Sequence, residues 1–217
     1  MGLAQKVLSH RHHDDESGGV ITHARGYELF AGAFFLGRRA RIWDRLVELS
    51  GVHSGDRVLD IGCGTGYFAR RIARVVEPDG SVVGIDPSQP MLDYATAHAP
   101  SNCAFRLAGA EDLPYPDASF DVVVSSLAFH HFPADRRSEA VREMFRVLRP
   151  GGRVFIADFH PPSGRVLNRI VAAVTAHAMA HDNSGEIETL VRDSGFTAIG
   201  RGRTRVLHYV RAERPSV

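Results

Sequence analysis

The apolar run Val58–Ile61 passes directly into a loop where Gly62, Gly64 and Gly66 are separated by single residues, and a helical pattern then runs from Tyr67 to Val76. Strand, glycine turn and helix in that order constrain the fold more than any other feature. They make the opening unit of an open parallel sheet that binds a ligand at its strand ends. The rhythm repeats downstream. Ser81–Asp86 reads as a second strand, Pro87–His98 as a helix with Pro90 in its first turn, Cys103–Ala108 as a third strand and Phe120–Ser126 as a fourth. Val141, Met144, Phe145 and Leu148 mark one face of a helix over Ala134–Leu148, and "RPGG" (Arg149–Gly152) stops it before a fifth strand, Arg153–Phe159. Strands alternating with helices predict an α/β, Rossmann-like, doubly wound sheet that is mostly parallel and covered by helices on both faces.

The flanks read differently. Residues 1–25 are polar and weakly periodic, a mobile N-terminal arm, and 26–217 form a single domain. Within it, 26–50 supply an N-terminal helix with Ile42, Leu46 and Leu49 on one face, and 160–185 a helical lid insertion with Val166, Ile170 and Val174 at four-residue spacing. Tyr27, Phe30, Phe34, Phe35 and Trp43 suit packing on a flat, apolar acceptor and equally suit packing on the core. A helix over Ile187–Ser194 ends at Gly195, and Phe196–Glu213 reads as two strands joined around Gly200 and Gly202, so one terminal strand runs antiparallel.

Length and charge exclude several functions. With 217 residues, 44% of them apolar, the chain holds one sizeable core. Lys+Arg 26 against Asp+Glu 25 leaves a net charge of +1, too balanced to attract nucleic acid or an anionic membrane. The two cysteines, Cys63 and Cys103, argue against a disulfide framework and fit a reducing compartment. No stretch reaches the roughly 18 apolar residues of a membrane span, and the first residues lack a signal-peptide core, so a cytoplasmic protein is expected. No metal site is expected either. His10, His12 and His13 lack a carboxylate or cysteine scaffold, and Ala178 stands between His177 and His181 where H-E-x-x-H has its glutamate.

The loop selects its ligand. A dinucleotide would want G-x-G-x-x-G, but Tyr67 occupies the third glycine position, and the charge of Asp60 beside the loop would repel a pyrophosphate and favour a cation. Asp86 closes the second strand, where a carboxylate accepts from ribose hydroxyls or caps the next helix. S-adenosylmethionine, with its ammonium and sulfonium at one end and ribose and adenine at the other, has the matching make-up.

"VLDIGCGTGYFA", "VVGIDPS", "AEDLPYPDASFDVVVSSLAFHHF" and "REMFRVLRPGGRVFIADF", in this order and spacing, resemble a class I S-adenosylmethionine-dependent methyltransferase, in particular the ubiquinone/menaquinone-biosynthesis C-methyltransferases. The resemblance covers roughly residues 55–160 and implies a seven-stranded sheet with an antiparallel last strand. Carried over by position, it implies that Asp60, Gly62, Gly64 and Gly66 line the methionine end of the cofactor and that Asp86 takes the ribose. Pro87 and Met91 would flank the adenine, with Ala110 and Glu111 beside its edge and Ser125 near the amino-acid moiety. Tyr27 joins these as a cofactor contact from the N-terminal stretch. One position departs from the pattern: Gly109 stands where the family has an acidic residue for the adenine amino group, so Glu111 or a backbone carbonyl substitutes, or the base is held more loosely.

The expected function is methyl transfer from S-adenosylmethionine to a small-molecule oxygen, nitrogen or carbon, leaving S-adenosylhomocysteine. His130 and His131 after the fourth strand and His160 after the fifth are the candidate general bases, the imidazole having the right intrinsic pKa. The blander alternative makes them hydrogen-bonded loop residues. Arg201, Arg203 and Arg205 share one strand face, as a charged edge or an anion-steering patch. Two other functions fit less of the pattern: a non-catalytic S-adenosylmethionine-binding module, and a nicotinamide-dependent oxidoreductase.

Overall fold

A computed structural model describes residues 24, 26, 28, 37–160, 182–204 and 207–216. The arm at 1–23, most of the aromatic N-terminal stretch with Tyr27, and most of the expected lid (161–181, with His177 and His181) lie outside the described residues. The elements run α1 (Arg39–Ser50), β1 (Arg57–Ile61), α2 (Tyr67–Val76), β2 (Ser81–Asp86), α3 (Gln89–Ala97), β3 (Cys103–Leu107), β4 (Phe120–Ser126), α4 (Arg137–Val147), β5 (Leu148–Phe159), α5 (Ser184–Asp193), β6 (Thr197–Arg203) and β7 (Leu207–Glu213). The strands form one sheet in the order β3-β2-β1-β4-β5-β7-β6. The first five are parallel, and β7 runs antiparallel to β5 on one side and β6 on the other.

Strand alternation divides the core in two. Leu59, Ile61, Val123, Ile156 and Val210 pack with Val141, Met144 and Ile187 of α4 and α5. Val58, Val122, Phe155 and Leu207 pack on the opposite face with Trp43, Leu46, Phe68 and Ile72 of α1 and α2. The continuous burial of β1 and β4 follows, since both faces of a parallel strand are covered. α4 stops where its last carbonyls find a side-chain donor: Arg214 Nη1 donates to Phe145, Arg146 and Leu148 at 3.0, 3.0 and 2.6 Å. Among the described residues no helix is long and apolar enough to cross a membrane.

Two expectations need correction. Gly200 and Gly202 do not join the last strands; they lie inside β6, which ends at Arg203, and Thr204 N–H donates to the carbonyl of Leu207, the first residue of β7, at 2.7 Å. These glycines make room for side chains of the paired strand, because a Cβ on Gly202 would lie 2.3 Å from the Tyr209 hydroxyl and one on Gly200 3.1 Å from Arg211. The N-terminal helix is also not continuous from residue 26. Gly37 takes φ +70°, outside the helical range, and α1 begins at Arg39.

Candidate functional site

β1 lies at the point where the strand order reverses, between β2 and β4, and its carboxyl end carries the glycine loop. Gly62 (φ +71°) permits contact between loops: a Cβ there would stand 2.3 Å from that of Ala128, so the turn after β4 lies against the loop after β1. Gly64 is the opposite case. A Cβ there would meet nothing within 4 Å, so its bareness (φ +52°) leaves open space above the backbone.

Asp86 is pinned beside that opening. Its Oδ2 accepts from Gly64 N–H at 2.8 Å and its Oδ1 from Ser88 N–H at 2.9 Å. Burial raises its pKa and these two donors pull it back. Each oxygen keeps a lone pair for another donor, so ribose hydroxyls fit. The N-cap of α3 is Ser88, so Asp86 shapes the turn without being the capping residue. Asp60 differs from its sequence reading. It is 1% exposed, and burial pushes its carboxyl up to about 7, with Ala69 N–H pulling it back and Asp86 pushing it further up. With a value of about 7 the carboxyl is only partly ionised near neutral pH, so it repels a pyrophosphate less than a standing charge would. Its Oδ2 is buried without a hydrogen-bond partner, an acceptor that a cationic donor above the loop would satisfy. Burial likewise raises the Cys63 thiol well above its usual range.

The residues expected to flank the adenine come from β2, α3 and the loop after β3. Met91 and Ala110 are buried, while Pro87 and Glu111 are exposed. Leu107, absent from the sequence reading, is 53% exposed and pairs in register with Asp86, giving an apolar surface next to that carboxylate. Glu111 folds back over Gly109: a Cβ at 109 would lie 2.6 and 2.7 Å from its two carboxylate oxygens.

At the ends of β4 and β5, Ser125 is fully buried and its hydroxyl donates to the Ile61 carbonyl at 3.0 Å, so it ties β4 to β1 and does not face a ligand. The hydroxyl without a partner at this edge is that of Ser126. The three histidines separate. His130 lies in the short turn Phe129–His131, where its backbone N–H donates to Asp158 Oδ2 at 2.9 Å and its Nδ1 lies 2.7 Å from Asp158 Oδ1. Burial alone would raise the Asp158 carboxyl, but hydrogen bonding and charge from His130, with help from Phe159 N–H and His208, hold it below its usual value. An ionised Asp158 accepts the Nδ1 proton, leaving the Nε2 lone pair of His130 free, and that atom is buried without a partner. His131 lies against His130, ring centroids 4.1 Å apart and planes tilted by 42°, and burial, then the neighbouring His130, lowers it to about 4. His160 joins Asp182 and His208 instead.

Sequence reasoning missed Asp158, Asp182 and His208, and a contact at the loop itself. Glu28 accepts both Nη atoms of Arg39, at 2.6 and 3.1 Å, and also the hydroxyl of Thr65 within the glycine loop. Arg39 in turn lies 3.7 Å over the Tyr67 ring. Glu28 thus links α1 to the glycine loop, and Tyr27, its neighbour in sequence, lies outside the described residues. Arg201 and Arg203 pair with Glu188 and Asp182 at 3.2 and 3.5 Å, which makes them a charged edge tied to α5.

Residues 58–152 match the family model for a methyltransferase domain. Over that stretch, a little under half of the chain, the protein is similar to methyltransferase domains. It is 42% identical over 135 residues to the ubiquinone/menaquinone biosynthesis C-methyltransferase UbiE of Pseudomonas paraeruginosa, across 59% of this chain and 52% of that protein. The chain thus spans about half the length of the curated relatives it matches. Among solved structures, an S-adenosylmethionine-dependent methyltransferase from Mesorhizobium loti superposes with a TM-score of 0.64 at 24% identity, over 79% of this chain and 97% of that one. Phosphoethanolamine N-methyltransferase 2 of Haemonchus contortus, solved with S-adenosyl-L-methionine, gives a TM-score of 0.66 at 19% identity, over 81% of this chain and 52% of that one.

Proposed function

We propose that this protein transfers the methyl group of S-adenosylmethionine to a carbon nucleophile of a small, flat acceptor, and that His130 Nε2 receives the proton the acceptor gives up. The observation that carries the reading is the Asp86 carboxylate, held by Gly64 N–H at 2.8 Å beside the one loop glycine with open space above it. A carbon nucleophile is chosen because the relatives that match at 42% identity are C-methyltransferases by name. When bound, the sulfonium supplies an electrophilic methyl whose bond to sulfur breaks, leaving the electron pair on sulfur, as the bond to the acceptor carbon forms. The protein's part is alignment, exclusion of water and proton uptake. Asp86 accepts from the ribose hydroxyls, Leu107, Met91 and Ala110 enclose the base, Asp60 answers the cationic end, and Asp158 fixes the His130 tautomer. Incubating the full chain with methyl-labelled cofactor and a panel of phenols and hydroquinones tests the reading. Label on a ring carbon supports it; label on oxygen or nitrogen alone refutes the carbon assignment. Cofactor binding with no transfer to any of the panel favours the binding module.

Glu111 is the substitute for the missing acidic side chain at 109, because its carboxylate already fills that space. Glu111→Ala weakens S-adenosylhomocysteine binding about tenfold or more, equivalent to a charge-assisted bond of roughly 1.5–3 kcal/mol. Gly109→Asp added to that variant restores affinity. Wild-type affinity in Glu111→Ala removes this carboxylate from the adenine contact.

Asp60 makes binding depend on pH. With its free carboxyl at about 7, a cation above the loop favours the ionised form and lowers that value in the complex. Affinity for S-adenosylmethionine is therefore full above about pH 8 and declines as pH falls through 7, by at most about tenfold per unit. Adenosine, which carries neither cationic group, binds with little pH dependence across this window. Calorimetry at several pH values checks both, and a flat profile for S-adenosylmethionine separates Asp60 from the charged end.

A further inference from the structure

His160 follows β5 directly, Asp182 precedes α5, and His208 lies in β7 opposite Asp158 in the antiparallel register. The three residues converge at the carboxyl edge of β5, with one ligand atom from each within 4.8 Å of the others. We propose that His160, Asp182 and His208 form a binding site for a borderline-soft divalent cation of the zinc type, through two imidazole nitrogens and one carboxylate.

The separations fit ligands better than hydrogen-bond partners. His160 Nδ1 lies 3.4 Å from Asp182 Oδ2, and His208 Nδ1 lies 3.6 Å from Asp182 Oδ1. Both exceed the usual hydrogen-bond range of about 2.7–3.2 Å. Two ligand atoms about 2.0–2.2 Å from a tetrahedral zinc stand about 3.3–3.6 Å apart; each imidazole lies at such a separation from one oxygen of Asp182, His160 from Oδ2 and His208 from Oδ1. Burial is the second observation. His208 is 1% exposed, yet neither of its ring nitrogens has a partner in hydrogen-bonding geometry, and Nδ1 of His160 is also buried and unsatisfied. Buried polar groups left unpaired are destabilising, and a metal ion satisfies both imidazoles together.

The surroundings suit a cation. Ser184 N–H donates to Asp182 Oδ1 at 3.0 Å and fixes the carboxylate. The opposing group is Arg203, 3.5 Å from Asp182 Oδ2, but its side chain is 62% exposed and free to turn into solvent. Three protein ligands leave at least one coordination position open, as in catalytic rather than structural zinc sites. Two imidazoles with one carboxylate also suit iron(II) and cobalt(II), so the metal is decided by titration.

The site does not depend on the methyl-transfer reading, and its test reads the metal directly. Full-length protein stripped with chelator is titrated with cobalt(II), followed by visible absorption, and with zinc(II) and iron(II) against a chromophoric chelator. The histidines at 10, 12 and 13 are first replaced by asparagine to remove a competing cluster. That background binds one equivalent with the intense bands of a low-coordinate cobalt site. Asp182→Asn and His160→Gln, both at partly exposed side chains, weaken binding by about 100-fold or more, as does His208→Gln where it folds. Circular dichroism confirms that the variants remain folded, and His53→Asn, outside the site, binds as the background does. No bound equivalent in the background, or unchanged affinity in both Asp182→Asn and His160→Gln, overturns the proposal and leaves the cluster as a polar network of the fold.

Discussion

His130→Asn lowers single-turnover methyl transfer by about 10²–10⁴-fold and leaves S-adenosylhomocysteine affinity within a few fold. Asparagine is the informative substitution because its amide still donates to Asp158 but has no lone pair to take a proton. Alanine would strip the partner from a carboxylate that is 2% exposed, and breaking such a buried pair destabilises by about 3–5 kcal/mol, mixing folding with chemistry. Asp158→Asn gives the complementary result. His130 stays in place, its preferred tautomer is lost, and turnover falls while cofactor affinity holds. His131→Asn has a smaller effect, since burial and the neighbouring His130 already hold that ring neutral, at about 4, and no carboxylate orients it. Near-normal turnover in His130→Asn, on an acceptor that must lose a proton, means that the site works by alignment alone.

The second large effect falls on binding. Asp86→Ala weakens S-adenosylhomocysteine by about 10²-fold or more, because two charge-assisted bonds to ribose hydroxyls contribute roughly 1.5–3 kcal/mol each. Part of that loss comes from the loop, since the same carboxylate restrains Gly64 and Ser88. Asp86→Asn separates the contributions: it keeps one acceptor oxygen and loses the charge, so its affinity falls between wild type and alanine. An alanine variant that binds as tightly as wild type leaves Asp86 with a purely structural role.

What was legible in the sequence was local. The strand–loop–helix at residues 57–76 follows from hydrophobic period and glycine placement, both of which act within one element. Asp86 was legible for the same reason, lying at the end of an apolar run. What escaped the reading depends on partners distant in the chain. Gly200 and Gly202 resemble turn residues until the register with β7 shows Tyr209 and Arg211 filling the space above them. Ser125 and Ser126 are neighbours of the same type, and only the β1–β4 pairing shows that the first bonds Ile61 while the second is left over. His208 shows no local signal. The antiparallel register places it opposite Asp158 and near His160, and that placement converts three equivalent-looking histidines into one paired with Asp158, one held neutral, and one in a separate cluster.

The central claim is that the open glycine loop with Asp86 binds S-adenosylmethionine and not a dinucleotide. Side-by-side calorimetric titration of the full chain with S-adenosylhomocysteine and with the oxidised nicotinamide dinucleotide tests it most directly. The account requires one saturable site for S-adenosylhomocysteine and no detectable heat of binding for the dinucleotide. Binding of the dinucleotide alone, or of neither ligand, contradicts it.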